Sequence, residues 1–461
     1  MSEAGKVFMF GFTEEILSGE RLAFFKSAGV RNFILFGRNL AHLKENIEII
    51  KNEFENPLIA IDQEGGIVRR IKDTDDFFFG NMNAAMSNSA SFIRDVYFAT
   101  GKILREKGIN LNLAPVADVY LKKRNSIGTR SFGSDPQKVS LFVNSAIKGL
   151  HDAGILSALK HFVGYGGAVK DPHKGLPEFG GNSEMLEKAL YPFKTASANA
   201  DFVMTAHITV GEIDPENPVT FSKKAISALR SEIGFKGPVI TDCLEMGGAM
   251  VYPASEIALK ALNAGNDLLI VSHTLSLQKE MLKSVEKSGI DLSEYLERLG
   301  SLKLRKENPK TLRVKKKFVC VYKDNGFIPK EGFHFLFPQI VQEVQVEEMK
   351  VQQGDFPIDP SSEETERIST FPLKNAVLVS YNAFKHRGQI ALAKRIKEKN
   401  KNLCVIVAGD PADIKEFSFA DCILLTFSPL EKIIKHALSV IEGKEKAEGI
   451  LPVSEEIIWK E

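Results

Sequence analysis

Short apolar runs alternate with longer, helix-patterned segments along the first 275 residues of the chain. Each run is rich in β-branched or aromatic residues and apolar enough to be a strand buried on both faces. Eight strands are predicted, at residues 6–12, 32–36, 57–61, 109–113, 156–159, 202–205, 238–241 and 267–271. Eight such strands alternating with helices predict an N-terminal (β/α)8 TIM-like barrel, with a doubly wound open sheet as the competing fold.

Two of the intervening helices have recognisable limits. Asp135 is typical of a helix cap and Pro136 of a first helical residue, which predicts a helix over residues 135–150. A further helix is predicted over residues 222–232.

A second α/β pattern follows a basic segment. Residues 303–317 (KLRKENPKTLRVKKK) contain eight basic residues and one acid, which favours a solvated linker over an anion-binding patch. Beyond it the pattern predicts strands at 375–381, 402–409 and 421–427, helices at 385–399 and 430–441, and a polar loop at 351–370. We therefore expect a barrel domain at 1–300, a basic linker at 301–318 and a smaller α/β domain at 319–461, which serves packing or assembly.

The charge balance and the cysteines argue against several kinds of partner and site. The 60 basic and 59 acidic residues leave a net charge of +1, so neither nucleic acid nor an anionic membrane is expected as a partner. The four cysteines form no CxxC pair, which argues against a zinc site or a disulfide framework. The N-terminus is not patterned as a signal peptide, and no run approaches the ~20 apolar residues of a membrane span. These features predict a cytoplasmic protein acting on a small substrate.

Polar side chains collect where the predicted strands end. In a parallel barrel the carboxyl ends of all strands meet at one mouth, where functional residues lie. Acids, bases and imidazoles follow six strands in succession, namely Asp62 and Glu64, Asp118, Lys160 and His161, His207, Asp242, and His273. This concentration indicates a site at the mouth of the barrel.

Asp242 is the candidate nucleophile. It lies at the tip of the strand in VITDCLEMGG (239–248), where it could either cap the following helix or attack a sugar in retaining glycoside hydrolysis. Glu245 is the rival acid, but it would point from the first helical turn rather than from the strand tip.

The run KHFVGYGGAVKDPHKGLPEF (160–179) offers a candidate acid/base. A retaining hydrolase needs a group that protonates the leaving oxygen and later deprotonates water, and an imidazole has a suitable ordinary pKa of about 6.5. Asp171 lies two residues before His173 and could orient its ring, while Pro172 disfavours helix between them. The alternative is a turn that carries a surface histidine.

Three further charged residues could bind a sugar. In IDQEGGIVRR (61–70), Asp62 could accept two hydroxyls and Arg70 could donate to the same ligand, although a helix entry is an equal alternative. In SIGTRSFGSDP (126–136), Arg130 lies between glycines that would allow its planar group to approach a ligand closely, although most arginines are surface residues.

Taken together, the motifs resemble glycoside hydrolase family 3, and within it the NagZ-type bacterial β-N-acetylglucosaminidases. The resemblance spans residues 7–275 in order and is carried by ILFGRN (34–39), IDQEGG (61–66), LNLAPVADV (111–119), IGTRSFG (127–133), the KHF and DxH elements of residues 160–173, VMTAHI (203–208) and TDCLEM (241–246). The segment EGILPVS (448–454) is similar to two-domain members.

The resemblance implies a role for each matching residue. Asp242 would form a covalent glycosyl intermediate, with His173 as acid/base assisted by Asp171. The N-acetylglucosamine ring would be held by Asp62, Arg70, Arg130, Lys160 and His161, and His207 is placed with them. No metal or cofactor is implied.

Four replacements in particular separate the loop from the family pattern KHFPGHGDTxxDSH. Val163 replaces the proline, Tyr165 the second histidine, Gly167 the aspartate and Pro172 the serine, while the spacing from Lys160 to His173 is kept. The loop's mobility and its preference for a leaving group are the properties that these replacements would alter.

The resulting hypothesis is a retaining exo-β-N-acetylglucosaminidase that acts on muropeptides or chitooligosaccharides. The alternatives are a family 3 β-glucosidase or β-xylosidase, and an N-acetylglucosaminide phosphorylase, because a histidine acid/base does not repel incoming phosphate. A sugar-binding protein on a degenerate barrel and a metal-dependent barrel enzyme are further alternatives.

Overall fold

A closed parallel barrel forms the N-terminal part of the chain. The computed structural model describes residues 3–75, 77–168, 170, 172, 175–307, 314, 316–325, 334–338, 352–356, 358–369, 375–399 and 402–459. The barrel strands are β1 (Phe8–Phe10), β2 (Asn32–Leu35), β3 (Leu58–Ile61), β4 (Leu111–Asn112), β5 (Leu156–Phe162), β6 (Phe202–Thr205), β7 (Val239–Thr241) and β8 (Leu269–Val271). They are hydrogen-bonded in the order β7-β6-β5-β4-β3-β2-β1-β8, and a parallel bridge between Ile240 and Leu268 joins the two ends. The predicted barrel is therefore confirmed, and the open sheet is wrong.

Helices surround the barrel. They are α1 (Gly19–Ala28), α2 (Leu43–Glu53), α3 (Asn81–Ala85), α4 (Ala90–Glu106), α5 (Pro136–Asp152), α6 (Ser183–Ala196), α7 (Lys223–Ser231), α8 (Ala254–Ala264), α9 (Leu275–Ser288) and α10 (Ser293–Gly300). Asp135 caps α5 as predicted, since its carboxylate accepts the amides of Gln137 at 2.9 Å and Lys138 at 3.3 Å. The predicted helix at 222–232 is α7, which Ser222 caps by accepting the Ala225 amide at 3.1 Å.

Apolar side chains from the strands fill the barrel. The inward-facing residues form one buried cluster of Met9, Ile34, Ala60, Leu111, Leu113, Leu156, Ala158, Phe202, Met204, Ile240, Leu268 and Ile270. A second cluster packs the outer faces of the strands against the helices. The barrel is thus a solid core, and a ligand has room only at its ends.

The second domain is built on a mixed sheet. Among the described residues its strands are β9 (Cys320–Asp324), β10 (His334–Pro338), β11 (Gln352–Phe356), β12 (Asn375–Ser380), β13 (Asn402–Val407) and β14 (Cys422–Leu425). These six strands are hydrogen-bonded in the order β11-β10-β12-β13-β14-β9, and β9 alone among them runs antiparallel to its neighbour. Its helices are α11 (Ser362–Ser369), α12 (Arg387–Lys399), α13 (Asp413–Glu416), α14 (Glu431–Ile441) and α15 (Glu455–Trp459). The three predicted strands and both predicted helices are present.

The predicted loop at residues 351–370 is wrong, because this segment contains β11 and α11. Ser361 and Glu364 form a capping box, in which each side chain accepts the other residue's backbone amide, at 2.9 and 3.2 Å. β11 pairs with β10 at the edge of the sheet, where a polar strand needs no apolar pattern because backbone hydrogen bonds hold it. Across the described ranges, no helix has the length and apolar character needed to cross a membrane.

Candidate active site

Several of the predicted site residues lie together at the carboxyl end of the barrel. A cavity of about 290 Å³ opens there between Asp62 after β3 and Asp242 after β7, with Arg70 at its wall. The inward-facing Leu113, Met204 and Ile270 also line it. The cavity therefore combines ionised groups with an apolar surface, as sugar sites require.

β5 is longer than predicted. We expected it to end at residue 159, with Lys160 and His161 following it, but the strand continues to Phe162 and both residues lie within it. Its register against β6 shifts between Leu159 and Phe162. A strand-borne side chain is held more rigidly than one on a loop, so both groups have fixed positions at the mouth.

Glu64 is the centre of a buried ion cluster. Its carboxylate accepts two parallel hydrogen bonds from Arg130, at 2.8 and 2.9 Å, and it pairs with Lys160 Nζ at 2.5 Å. Lys160 Nζ also donates to Asp62 Oδ1 at 2.8 Å. Burial alone would raise the pKa of Glu64, but the Arg130 and Lys160 cations hold that pKa well below its usual range. Burial would lower the pKa of Lys160, but Asp62 and Glu64 raise it, so Glu64, Arg130 and Lys160 are all charged at neutral pH.

Arg130 lies on the 3-10 turn Gly128–Arg130, within the long connection between β4 and α5. Its Nη2 is 3.2 Å from His161 Nε2, and its backbone carbonyl accepts a hydrogen bond from the side-chain Nδ2 of Asn81 at 2.8 Å. Asn81 in turn accepts the Tyr97 hydroxyl at 2.8 Å. Both the side chain and the backbone of Arg130 are therefore fixed.

Asp118 orients His161. Its Oδ2 lies 2.7 Å from His161 Nδ1 and accepts the backbone amide of the same residue at 3.2 Å. Asp118 Oδ1 accepts the Tyr165 amide. A fully buried carboxylate with these partners sets the plane of the imidazole. It leaves the second ring nitrogen, Nε2, towards Arg130.

Arg70 has unused donor capacity. Its Nη2 is 3.8 Å from Asp62 Oδ2, and its guanidinium lies 5.9 Å from the centre of the Phe36 ring. Its buried Nε has no hydrogen-bond partner among the described residues. Because the Arg70 side chain lines the cavity, a ligand oxygen at this wall could accept a hydrogen bond from its guanidinium.

Asp242 faces the cavity as an ionised carboxylate. Its amide donates to the Thr205 carbonyl at 3.1 Å and its Oδ1 accepts the Cys243 amide at 2.7 Å, which fixes the residue at the strand end. Burial would raise the pKa of Asp242, but His161, His207 and the Cys243 amide lower it below its usual value. Asp242 is therefore charged across the neutral range.

Glu245, the rival acid, is bound to the backbone. Its two carboxylate oxygens accept the amides of His273 and Thr274, each at 2.8 Å, immediately before α9. The carboxylate thus satisfies amides at a helix start.

The structure does not bring His207 into the cavity. Its ring is fully buried, with Nε2 2.9 Å from the Cys243 carbonyl and Nδ1 2.8 Å from Thr220 Oγ1. The backbone amide of His207 donates to the Tyr165 hydroxyl at 2.7 Å. His207 thus lies behind Asp242, where its ring holds the backbone carbonyl of Cys243.

Asp171 and His173 lie outside the described residues. Pro172, between them in the chain, accepts the Gly248 amide at 2.9 Å, six residues beyond Asp242. Further along the same loop, Pro177 and Phe179 pair with Thr209 through backbone hydrogen bonds of 3.0 and 2.8 Å. Both attachments join the loop to segments that follow β6 and β7.

Sequence reasoning placed Glu64 and Asp118 at the mouth of the barrel but gave neither residue a role in the site. Both stand in the quoted motifs, IDQEGG and LNLAPVADV, and both follow a predicted strand. In the part of the chain that the structure describes, no group of three or more His, Cys, Asp or Glu side chains has the arrangement of a metal site.

Comparison with known proteins gives a consistent result. Residues 17–300 match the glycosyl hydrolase family 3 N-terminal domain. A β-hexosaminidase of Tolumonas auensis is 33% identical over 293 residues, which is 61% of this chain and 86% of that protein. A β-hexosaminidase of Pseudomonas aeruginosa is 28% identical over 294 residues, 61% of this chain and 87% of that protein.

One solved structure extends the likeness to the second domain. A family 3 β-N-acetylglucosaminidase from Paenibacillus sp. str. FPU-7 superimposes with a TM-score of 0.88 at 27% identity and covers 98% of both chains. Since the matched family domain runs from before α1 to the end of α10 and so includes seven of the eight strands and the whole ion cluster, this chain belongs to glycoside hydrolase family 3.

Proposed function

We propose that this glycoside hydrolase is a retaining exo-β-N-acetylglucosaminidase that releases terminal β-linked N-acetylglucosamine from peptidoglycan fragments or chitooligosaccharides. The observation that carries the proposal is the ionised Asp242 at the strand tip, facing the same cavity as Asp62 and Arg70. The named activities of the β-hexosaminidase relatives and of the Paenibacillus structure support this sugar. In this proposal residues 1–300 are the catalytic domain, 301–318 a linker and 319–461 the second domain.

The sugar-binding half of the site comprises Asp62, Arg70, Arg130, Lys160 and His161. Asp62 has free acceptor capacity beside the Lys160 cation, so it suits a pair of adjacent hydroxyls. Arg70, whose guanidinium lines the cavity, would donate to a ring substituent. These charges are already paired and oriented by the protein, so binding would need little reorganisation.

The reaction would proceed in two displacements. Asp242 would attack the anomeric carbon while His173, oriented by Asp171, protonates the departing glycosidic oxygen. His173 would then take a proton from water as that water attacks the glycosyl ester and releases Asp242. The hydrogen bond between Pro172 and Gly248 supports a loop position beside Asp242. His207 would contribute from behind, by fixing the Cys243 carbonyl.

The test is the hydrolysis of aryl β-glycosides by wild type and by Asp242→Ala and His173→Ala. Loss of the nucleophile should lower kcat by at least about 10³-fold, and loss of the acid/base by about 10²- to 10⁴-fold. Asp73→Ala, which alters a half-exposed carboxylate paired with Lys107, is the matched control and should leave kcat unchanged.

Two further measurements separate the alternatives. Aryl sugars with and without the acetamido group distinguish an N-acetylglucosaminidase from a glucosidase or xylosidase, and product analysis with and without phosphate distinguishes hydrolysis from phosphorolysis. Mass spectrometry of the quenched enzyme should find one glycosyl group on the peptide that contains Asp242. Full activity of the Asp242 variant would disprove the mechanism.

A further inference from the structure

The connection between β4 and α5, residues 113–135, lies against the second domain along much of its length. We call this segment the Arg130 connection, because it carries Arg130 to the ion cluster. Its only regular element is the short 3-10 turn Gly128–Arg130. A segment of this length without regular structure needs external contacts to hold one conformation.

The first contact is a buried hydrogen bond across the domains. The Tyr120 hydroxyl donates to Asp410 Oδ1 at 2.7 Å, and the two residues are 0% and 3% exposed. The same hydroxyl accepts the Arg124 amide at 3.3 Å. Asp410 also faces Gly128, where a Cβ atom would lie 3.6 Å from Oδ2. Gly128 has a φ of +52°, so a side chain there would strain the backbone two residues before Arg130.

The second contact is an ion pair between Arg124 and Glu416, which also binds Arg387 at 2.8 Å. The Arg124 guanidinium lies 5.3 Å from the centre of the Phe384 ring. Glu416 and Phe384 both belong to the second domain, so Arg124 is held there by charge and by an aromatic face.

The third contact follows Arg130 in the chain. The Ser134 amide donates to the Pro452 carbonyl at 3.1 Å, and the Ser454 amide donates to Ser134 Oγ at 2.7 Å. At Gly133 a Cβ atom would lie only 2.2 Å from the Pro452 oxygen, so the two backbones are in direct contact. Arg130 is thus flanked on both sides by attachments to the second domain.

The barrel helix that holds the Arg130 carbonyl, α3, also contacts the second domain. The Arg130 carbonyl is held by Asn81 of α3, and Asn83 of the same helix donates to the Phe318 and Thr426 carbonyls, each at 2.9 Å. The second domain therefore contacts both the connection and the helix against which the connection rests.

We propose that the second domain positions Arg130 for sugar binding, and that Tyr120 and Asp410 are positioning residues of the active site. This inference rests on the proposed function, because it takes Arg130 as a sugar-binding residue. Arg130 would act on hydroxyls that do not react, so its displacement weakens substrate and transition-state binding alike and raises KM more than it lowers kcat.

The test measures kcat and KM of the full chain on an aryl β-N-acetylglucosaminide. Tyr120→Phe and Asp410→Ala should each lower kcat/KM by about 10- to 100-fold, mainly through KM, because small misplacements of a binding group have effects of this size. Asp410→Asn keeps an oxygen that can accept the Tyr120 hydroxyl, so it should restore most of the loss. Tyr322→Phe is the matched control, since the Tyr322 hydroxyl accepts Trp459 Nε1 at 3.0 Å, a contact that lies within the second domain.

A double-mutant cycle with Arg130→Ala identifies the route of the effect. In that background Asp410→Ala should change kcat/KM by less than about twofold, because the group that it positions is absent. Equal costs in both backgrounds would overturn the inference and indicate a general loss of stability. Normal kinetics of Tyr120→Phe and Asp410→Ala, with a damaged Arg130→Ala, would overturn it while leaving the proposed function intact. An Arg130→Ala variant with normal kinetics would overturn both the inference and the sugar-binding role of Arg130.

Discussion

Replacing Glu64 by glutamine tests the charge balance of the site. The substitution keeps the size of the side chain but removes the negative charge that binds Arg130 and Lys160. Lys160 would then keep the Asp62 carboxylate, 2.8 Å from its Nζ, while Arg130 would lose the carboxylate that accepts its two parallel hydrogen bonds. The amide oxygen of the glutamine could still accept a hydrogen bond, but its NH2 group would face the N–H donors of Arg130 or Lys160.

The expected loss is about 3–5 kcal/mol of the free energy of unfolding at neutral pH, the usual cost of removing one partner from a buried ion pair. Glu64 is 1% exposed, so solvent does not screen the cations that remain. Three contacts of 2.5, 2.8 and 2.9 Å are affected, which places the loss in this range rather than in that of a surface pair.

The loss should also depend on pH in a defined direction. The folded-state pKa of Glu64 lies below the ordinary value of 4.5, so the ionised carboxylate stabilises the protein fully above pH 4.5. This stabilisation falls as the pH drops below 4.5 towards the folded-state pKa. The difference between wild type and Glu64→Gln should therefore stay constant at higher pH and shrink below 4.5.

The assay is urea denaturation followed by circular dichroism at several pH values. The fluorescence of Trp459, the only tryptophan, reports on the second domain separately. Glu187→Gln removes a carboxylate that is 66% exposed and paired with Lys194, and should cost less than about 1 kcal/mol. If Glu64→Gln were no more harmful than this control, or if its cost grew on acidification, the reasoning would be refuted.

Three other substitutions or probes test separate features. Asp267→Asn removes a fully buried charge that binds two arginines at 2.6 and 2.7 Å, so it should lower the free energy of unfolding by about 3–5 kcal/mol in urea denaturation. Because Asp267 lies before β8, at the end opposite the cavity, KM should not change. Tyr165→Phe removes the hydroxyl that accepts the buried His207 amide and should cost about 1–3 kcal/mol in the same assay. Cys243 should resist iodoacetamide at pH 8 in the native protein, as measured by mass spectrometry, because burial raises the pKa of its thiol to about 12.

Each of these expectations has a contrary outcome. A raised KM in Asp267→Asn would mean that the far end of the barrel affects the mouth. Unchanged stability of Tyr165→Phe would mean that the amide finds another acceptor. Rapid labelling of Cys243 would show that the thiolate forms despite its burial.

The barrel could be predicted from sequence because burial on both faces leaves a strong local signal. A strand such as PLIAI can be recognised from its own residues, without knowledge of the strands beside it. Eight such strands alternating with helices predict a closed barrel. The prediction failed where backbone pairing decided the structure. The polar β11 is held by hydrogen bonds to β10. β5 continues through the basic residue Lys160 because Glu64 pairs with its charge.

The site was predictable as a set of residues but not as a set of pairs. Its members could be placed at the mouth because all parallel strands end there. The pairing of Glu64 with Arg130, 66 residues apart, and of Asp118 with His161, 43 residues apart, depends on the angles at which separate strands deliver their side chains. Nothing local to either partner encodes such an angle, so the sequence could place Glu64 and Asp118 at the mouth but could not identify their partners.

The paired and unpaired groups at the mouth divide the site into two kinds of surface. Arg130 and Lys160 have buried carboxylate partners, so a sugar would meet them as oriented dipoles whose arrangement is already set. Arg70 Nε lacks a hydrogen-bond partner in the described part of the chain, and Asp242 carries a full charge at the cavity wall. A neutral, hydroxyl-rich ligand satisfies both kinds of surface, because its hydroxyls donate to the carboxylates and accept from the guanidinium without adding net charge. A strongly anionic ligand would instead compete with Glu64 and Asp62 for their cations, so the arrangement favours a sugar ring at this position.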